Sequence, residues 1–404
     1  MRISLVNFLY PPLGIGGSEQ SVRYLALGLQ RLGHEVRVFT QNVDNEPVDE
    51  VIDGVPVTRI ASPPGREPNV LNEGLAQRTM KHYLSGRQRN VGERLRPYLE
   101  AFGPEILHTN VFGGLPQIWR VGQELGATVV HTIRSYSLIC RDRMLIGDQA
   151  CTRQCRDCAL RIKQDIRDDS SSIDGVVGIS RHVLEVHRTA GWFVDVPEAA
   201  VIANSYELSD DIAEDAEDVP REYDFGFIGR LHPTKGVEVF LDAVRRANAA
   251  RTDHKVRALV AGSGNPGYVE TLRREYESPE IEFIGYVATD RFFRAVKYCV
   301  VPSLWFEPFG RVFIESLFHG VPVLGSLRGG GSEVLTDATG WLFDPGDSAS
   351  LDRAIESAAG LDPDAYARMR DACIEDSRQY TVSAIAEQYD DFYRRAEGGR
   401  RGTD

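Results

Sequence analysis

Two carboxylates eight positions apart are the first residues in this chain that could do chemistry. They bracket the run Glu307-Pro308-Phe309-Gly310-Arg311-Val312-Phe313-Ile314-Glu315. Pro308 and Gly310 keep Glu307 in a loop, and a helix then carries Glu315. Exposed amides at that helix start suit an anion or a sugar hydroxyl. Two acids so placed can grip two parts of one polyhydroxyl ligand. The same spacing also fits two solvated acids near a helix N-terminus, where acids are favoured. A second run, Gly229-Arg230-Leu231-His232-Pro233-Thr234-Lys235-Gly236, supplies cations at a strand end. Arg230 can bind a phosphate through two N–H groups, and Lys235 adds a point charge. The run is not a Walker loop, and an ordinary surface turn fits it equally. A third run, Gly16-Gly17-Ser18-Glu19, lets backbone approach a phosphate at a first strand–helix turn.

Four of the six cysteines fall in one window: Cys140, Cys151, Cys155 and Cys158. Two states fit them. Four thiolates suit a structural zinc, or an iron–sulfur cluster less well. Reduced thiols without metal fit a reducing compartment equally. A basic run holds Arg78, Lys81, His82, Arg87, Arg89, Arg94 and Arg96. It reads as a solvated helix face, with weak peripheral contact to an anionic membrane, or a phosphorylated acceptor, as the other outcome.

The elements that must position these residues alternate between strand and helix. Arg2–Val6 is a short apolar strand; Val22, Leu25, Ala26, Leu29 and Leu32 then keep helical spacing. Further strands are predicted at 105–109, 128–132, 175–179 and 199–203. A second series follows at 224–228, 256–261, 281–284, 299–302, 321–324 and 341–343. Such alternation gives parallel α/β sheets. The chain divides into a first domain over 1–205, an acidic surface linker over 206–222, a second domain over 223–380, and a helix over 381–397 that crosses back to the first domain. Two doubly wound, Rossmann-like sheets facing a central cleft are the expected architecture.

At 404 residues the chain is long enough for two such domains. A net charge of −13 argues against general nucleic-acid binding. No run approaches the roughly 20 apolar residues of a membrane span. No secretory leader is read in the first stretch, so the expected setting is cytoplasmic.

Taken in order, these motifs resemble the retaining glycosyltransferases of family 4, which have the GT-B architecture. The ordered set also includes Val176–Arg181, Asn204, Gly262-Ser263-Gly264, Phe283–Val287, Gly320–Val323, Gly329–Glu333 and Gly340–Phe343. The resemblance implies a nucleoside-diphosphate sugar as donor and a hydroxyl group as acceptor, with no metal needed for catalysis. It implies that Arg230 and Lys235 bind the diphosphate, and that Glu315 holds the ribose. Glu307, with the amides of Phe309 and Gly310, holds the transferred sugar. Val287 meets the base, and Gly16 and Gly17 lie near the phosphates. One departure stands out. Arg134, in His131-Thr132-Ile133-Arg134-Ser135-Tyr136, falls where many members carry a histidine that touches the donor sugar. Arginine cannot act as a base there. His131 itself reads as a packed or hydrogen-bonded residue. A GT-B epimerase and a non-catalytic sugar-nucleotide-binding partner share much of the pattern.

Overall fold

The computed structural model describes residues 1–13, 16–42, 46–61, 91–111, 114–140, 145–146, 149–150, 169–208, 221–252 and 255–401. Among the described residues ten strands precede the linker: β1 (Arg2–Val6), β2 (Glu35–Gln41), β3 (Val48–Ile52), β4 (Val55–Ile60), β5 (Ile106–Thr109), β6 (Thr128–Ile133), the short hairpin β7 (Leu145–Ile146) and β8 (Gln149–Ala150), β9 (Gly175–Gly178) and β10 (Glu198–Val201). Eight of them form one sheet in the order β10-β9-β6-β5-β1-β2-β4-β3. Six more follow the linker: β11 (Tyr223–Ile228), β12 (Ala258–Ala261), β13 (Ile281–Gly285), β14 (Val296–Val301), β15 (Val323–Ser326) and β16 (Gly340–Phe343). These make a second sheet in the order β13-β12-β11-β14-β15-β16.

The central strands read as continuous apolar or small-residue runs because helices cover both faces of each sheet. All four residues of β5 and of β9 and all six of β6 are buried. The second sheet is parallel throughout. The first is parallel except at its edge, where β3 runs antiparallel to β4. Sequence reading missed that hairpin. Its signal is Asp53-Gly54 between two alternating runs, with φ of 52° and 81° at the turn.

Three core clusters result among the described residues. One lies on a face of the first sheet and takes in Ile385, Tyr389, Phe392 and Tyr393 from the last helix, Val382–Arg401. That helix therefore packs on the first domain although it follows the second. Another cluster lies within the second domain. The third joins the domains, with Trp119 and Tyr136 from one side and Phe309 and Phe313 from the other.

The chain crosses between domains twice, and the two crossings pair. Tyr206 N–H donates to Tyr380 O at 3.0 Å, and Tyr206 bridges Thr381. This corrects the surface-linker expectation at its start. Tyr206 is buried because its ring fills the junction, edge-on to Tyr24 and Phe318. Residues 209–220 lie outside the described residues, as do 78–90 of the basic run. Arg94 and Arg96 lie on the helix Val91–Phe102, where Arg96 pairs with Glu93 and Glu124. Among the described residues no helix is long and apolar enough to cross a membrane.

Candidate active site

The Lys235–Glu307 pair is built by a tight meeting of two loops. After β11 the chain makes a single turn, Pro233–Lys235, capped by His232. Gly236 then turns left-handed, φ 71°, and starts the helix Val237–Ala249. A Cβ at Gly236 would lie 1.9 Å from Pro302 O, so only glycine lets this turn press on the end of β14. Leu304 N–H donates to Thr234 O at 2.9 Å and ties the loops together. Lys235 Nζ thereby reaches Glu307 Oε1 at 2.6 Å, and Ser303 Oγ donates to the same oxygen. Lys235 also sits 5.4 Å from the Trp305 ring centre.

Glu307 is not a solvated helix residue; it is 7% exposed. Burial pushes its carboxyl pKa up, but the Lys235 charge and the hydrogen bonds from Lys235 and Ser303 outweigh this and hold it below the usual value. The carboxylate is therefore ionised at neutral pH. Its backbone is fixed from the other side, where Gly330 N–H donates to Glu307 O at 2.7 Å. Gly329 and Gly330 permit this approach: a Cβ at Gly329 would lie 2.3 Å from Glu307 O, and one at Gly330 2.2 Å from Ser180 Oγ.

Gly310 leads into the helix Arg311–Phe318, which carries Glu315. The buried Phe309 lines a cavity of about 180 Å³ at the domain junction, with Val334 and Tyr380. Its ring also meets Tyr380 edge-on. Glu315 pairs with Arg311 at 3.1 Å, and Arg311 Nη1 reaches Ser21 Oγ of the first domain at 3.4 Å. The Arg311 stem passes over Gly17, and its guanidinium lies 5.6 Å from the Tyr24 ring centre. Gly16 and Gly17, at the start of the helix Gly17–Arg31, are thereby linked to Glu315 through Arg311. Sequence reading assigned no role to Arg311. The four-residue Arg–Glu spacing was its only local sign.

The structure does not bring every expected residue together. Arg230 is exposed and makes no hydrogen bond or ion pair among the described residues. Val287 is half-buried beyond the end of β13. Across the cleft, Arg134 follows β6 and is 9% exposed. Its Nε donates to Asn110 Oδ1 at 2.7 Å and its Nη1 to Asn204 Oδ1 at 2.6 Å. His131 is packed: Nδ1 lies 2.9 Å from Thr109 Oγ1, and its ring stacks on Phe193. Burial lowers its pKa to about 3, so it stays neutral. Cys140 is buried. Cys151, Cys155 and Cys158 lie outside the described residues, and no metal-holding cluster occurs among the described ones.

The two domains also meet directly beside the pair. Glu333 accepts the N–H groups of Arg181 and His182, each at 2.7 Å, and so caps the helix Arg181–Thr189 of the other domain. Ser180 Oγ donates to Pro308 O at 2.5 Å, one residue from Glu307. The His182 ring stacks on Phe306, and Tyr136 meets Trp305 edge-on. Sequence reading had Ser180, Arg181 and Glu333 within motifs but not their contact, because the partners lie about 150 residues apart.

This arrangement can hold a polyhydroxyl anion. Cations and helix-start amides stand at the carboxyl ends of the second sheet, and an ionised carboxylate lies among them. Residues 222–359 match the family described as glycosyl transferases group 1, and residues 16–205 match the glycosyl transferase 4-like domain. An uncharacterized 42.6 kDa protein of the cps region of Klebsiella pneumoniae is 28% identical over 83% of this chain and 87% of its own length. A D-inositol 3-phosphate glycosyltransferase of Corynebacterium kroppenstedtii is 24% identical over 100% of this chain and 92% of its own. The structure of sucrose-phosphate synthase from Thermosynechococcus elongatus superposes with a TM-score of 0.71 at 21% identity, covering 98% of both chains. The chain belongs to the group 1, family 4-like glycosyltransferases and has their GT-B fold.

Proposed function

We propose that this chain moves a sugar from a nucleoside-diphosphate sugar to a hydroxyl acceptor with retention of anomeric configuration. The observation that supports this best is the Lys235–Glu307 contact at 2.6 Å, in which the carboxylate is buried and fixed by Ser303. A buried ion pair is a poor device for stability alone, since desolvation offsets most of its attraction. It is a good device for holding a charged, hydroxylated ligand in one orientation.

Charge grows on the leaving diphosphate as the glycosidic bond breaks. In this reading Lys235, Arg230 and the amides near Gly310 stabilise that growth, so the scheme requires no catalytic metal. Glu307 accepts hydrogen bonds from sugar hydroxyls, and Glu315 from the ribose. Neither acid serves as nucleophile or general acid in this scheme, so the two-carboxylate scheme of glycosidases does not apply. The acceptor attacks from the face the diphosphate leaves, and a phosphate oxygen takes its proton. The acceptor is a glycan, a lipid-linked sugar or a small metabolite; the named Corynebacterium relative makes an inositol phosphate one concrete candidate.

The test is NMR analysis of the product anomer after incubation with UDP-, ADP- and GDP-sugars. A product of the same anomeric configuration as the donor is expected. An inverted product contradicts the retaining proposal. Conversion of the donor to its epimer without transfer contradicts the whole reading.

A further inference from the structure

Arg134 is a buried cation with no ion-pair partner among the described residues. Its hydrogen-bond partners, Asn110 and Asn204, are neutral carbonyls, and the hydroxyl of Tyr389 lies in reach as well. No carboxylate pairs with it among the described residues. Burial lowers its pKa; of the charges that act on it, Arg311 opposes its own and Glu19 favours it. A buried cation without a counter-charge is costly. If Arg134 served only to brace three strand ends, an acid in place of either asparagine would do so at less cost.

Asn110 gives an independent sign. It is fully buried, and its Nδ2 has no hydrogen-bond partner. Its Oδ1 is taken by Arg134. The orphan donor therefore stands one amide away from the guanidinium. Both lie at the carboxyl ends of parallel strands, Asn110 after β5 and Arg134 after β6. That is the same rim of the sheet that carries Gly17 and receives Arg311 from across the cleft.

We propose that Arg134, held by Asn110 and Asn204, forms an oxyanion subsite on the N-terminal wall of the cleft. It takes a carboxylate or a phosphate carried by the substrate. This rests on the sugar-nucleotide reading above and narrows it to substrates with an acidic group besides the donor diphosphate. The guanidinium fork suits two oxygens of one group. The asparagine carbonyls orient the fork without cancelling its charge, and Asn110 Nδ2 adds a neutral donor.

The acidic group has two sources, the donor sugar or the acceptor, and calorimetry on the full chain separates them. The nucleoside diphosphate that binds best among UDP, ADP and GDP is found first. One arm compares its glucuronate ester with its glucose ester. The other titrates the diphosphate-loaded protein with glucose 6-phosphate and with glucose. In one arm the charged probe is expected to bind about tenfold to a hundredfold tighter than the neutral one. Arg134→Gln should bring the two within about threefold, and Arg134→Lys should keep part of the preference. Both variants should bind the bare diphosphate like the parent, which shows that they are folded. A bound diphosphate with no charge preference in either arm overturns the subsite alone, as does a preference that survives Arg134→Gln. Failure of every diphosphate to bind overturns the sugar-nucleotide reading, and the subsite with it.

Discussion

The two walls of the cleft handle charge in opposite ways. The C-terminal wall pairs buried and half-buried ions, Lys235 with Glu307 and Arg311 with Glu315, and leaves the exposed Arg230 without an ion pair among the described residues. The N-terminal wall buries its titratable groups neutral or leaves them unpaired. His108, His131 and His187 are all buried with lowered pKa values, and Arg134 rests on amides. A wall of compensated ions is ready to exchange one partner for a phosphate or a hydroxyl. A wall of neutral groups around a single cation discriminates, because only a ligand that supplies the missing charge gains from it.

The largest expected effect falls on the paired wall. Glu307→Gln keeps the shape of the side chain but removes the charge that Lys235 faces. Transfer rate should fall about 10²–10³-fold. Lys235→Ala should do the same and also leave a buried, unpaired carboxylate, at about 3 kcal/mol of stability. Turnover and thermal melts of both variants check this. Full activity in either would dissolve the contrast between the walls.

The next effect falls on the other wall and is read by pH. A buried neutral histidine binds no proton in the folded state until its own low pKa, whereas the unfolded chain binds one below about 6.5. Stability therefore falls as pH drops through the window between those values. The lower limit is about 3 for His131 and about 4 for His187. Each costs up to about 1.4 kcal/mol per pH unit. Glu307 acts in the same direction but in a more acidic window. Its lowered pKa contributes stability above the ordinary carboxyl range, lost only as pH falls through the folded value. Melting temperature should thus start to fall below about pH 6.5. His131→Phe, which keeps the ring stack on Phe193, should flatten that slope, and an unchanged slope would assign the acid sensitivity elsewhere.

A smaller effect concerns the contact between the walls. Glu333→Ala removes the acceptor for two N–H groups at the start of the helix Arg181–Thr189. Glu333 is exposed, so the loss should be at most about 1 kcal/mol. Its mark should instead be a more open domain arrangement, measured as a larger radius of gyration by solution scattering. The smallest is Glu315→Gln, which weakens nucleotide binding about tenfold with little change in melting temperature.

Much of the paired wall was legible in the sequence. Strand, turn and helix follow one another there within a few residues, so the position of Lys235 could be read from Gly229–Gly236 and that of Glu307 from Pro308 and Gly310. What was not legible came from distance in the chain. Arg311 meets Ser21, and Glu333 meets Arg181, only because two sheets face each other. Arg134 and its two asparagine partners come from three separate strand ends, and no local pattern links Asn110 to Asn204. The missed hairpin β3–β4 is different. Its Asp53-Gly54 turn was in plain view, but the exposed, charged face of β3 weakened the strand pattern.

The central claim is that the C-terminal wall holds a nucleoside-diphosphate sugar through Lys235. Isothermal titration of the full chain with UDP-, ADP- and GDP-glucose tests it most directly, with Lys235→Ala alongside. The expected result is one-to-one binding of at least one donor, weakened about tenfold or more in a variant that still melts cooperatively. Binding that Lys235→Ala leaves unchanged, or no binding of any donor, would contradict it.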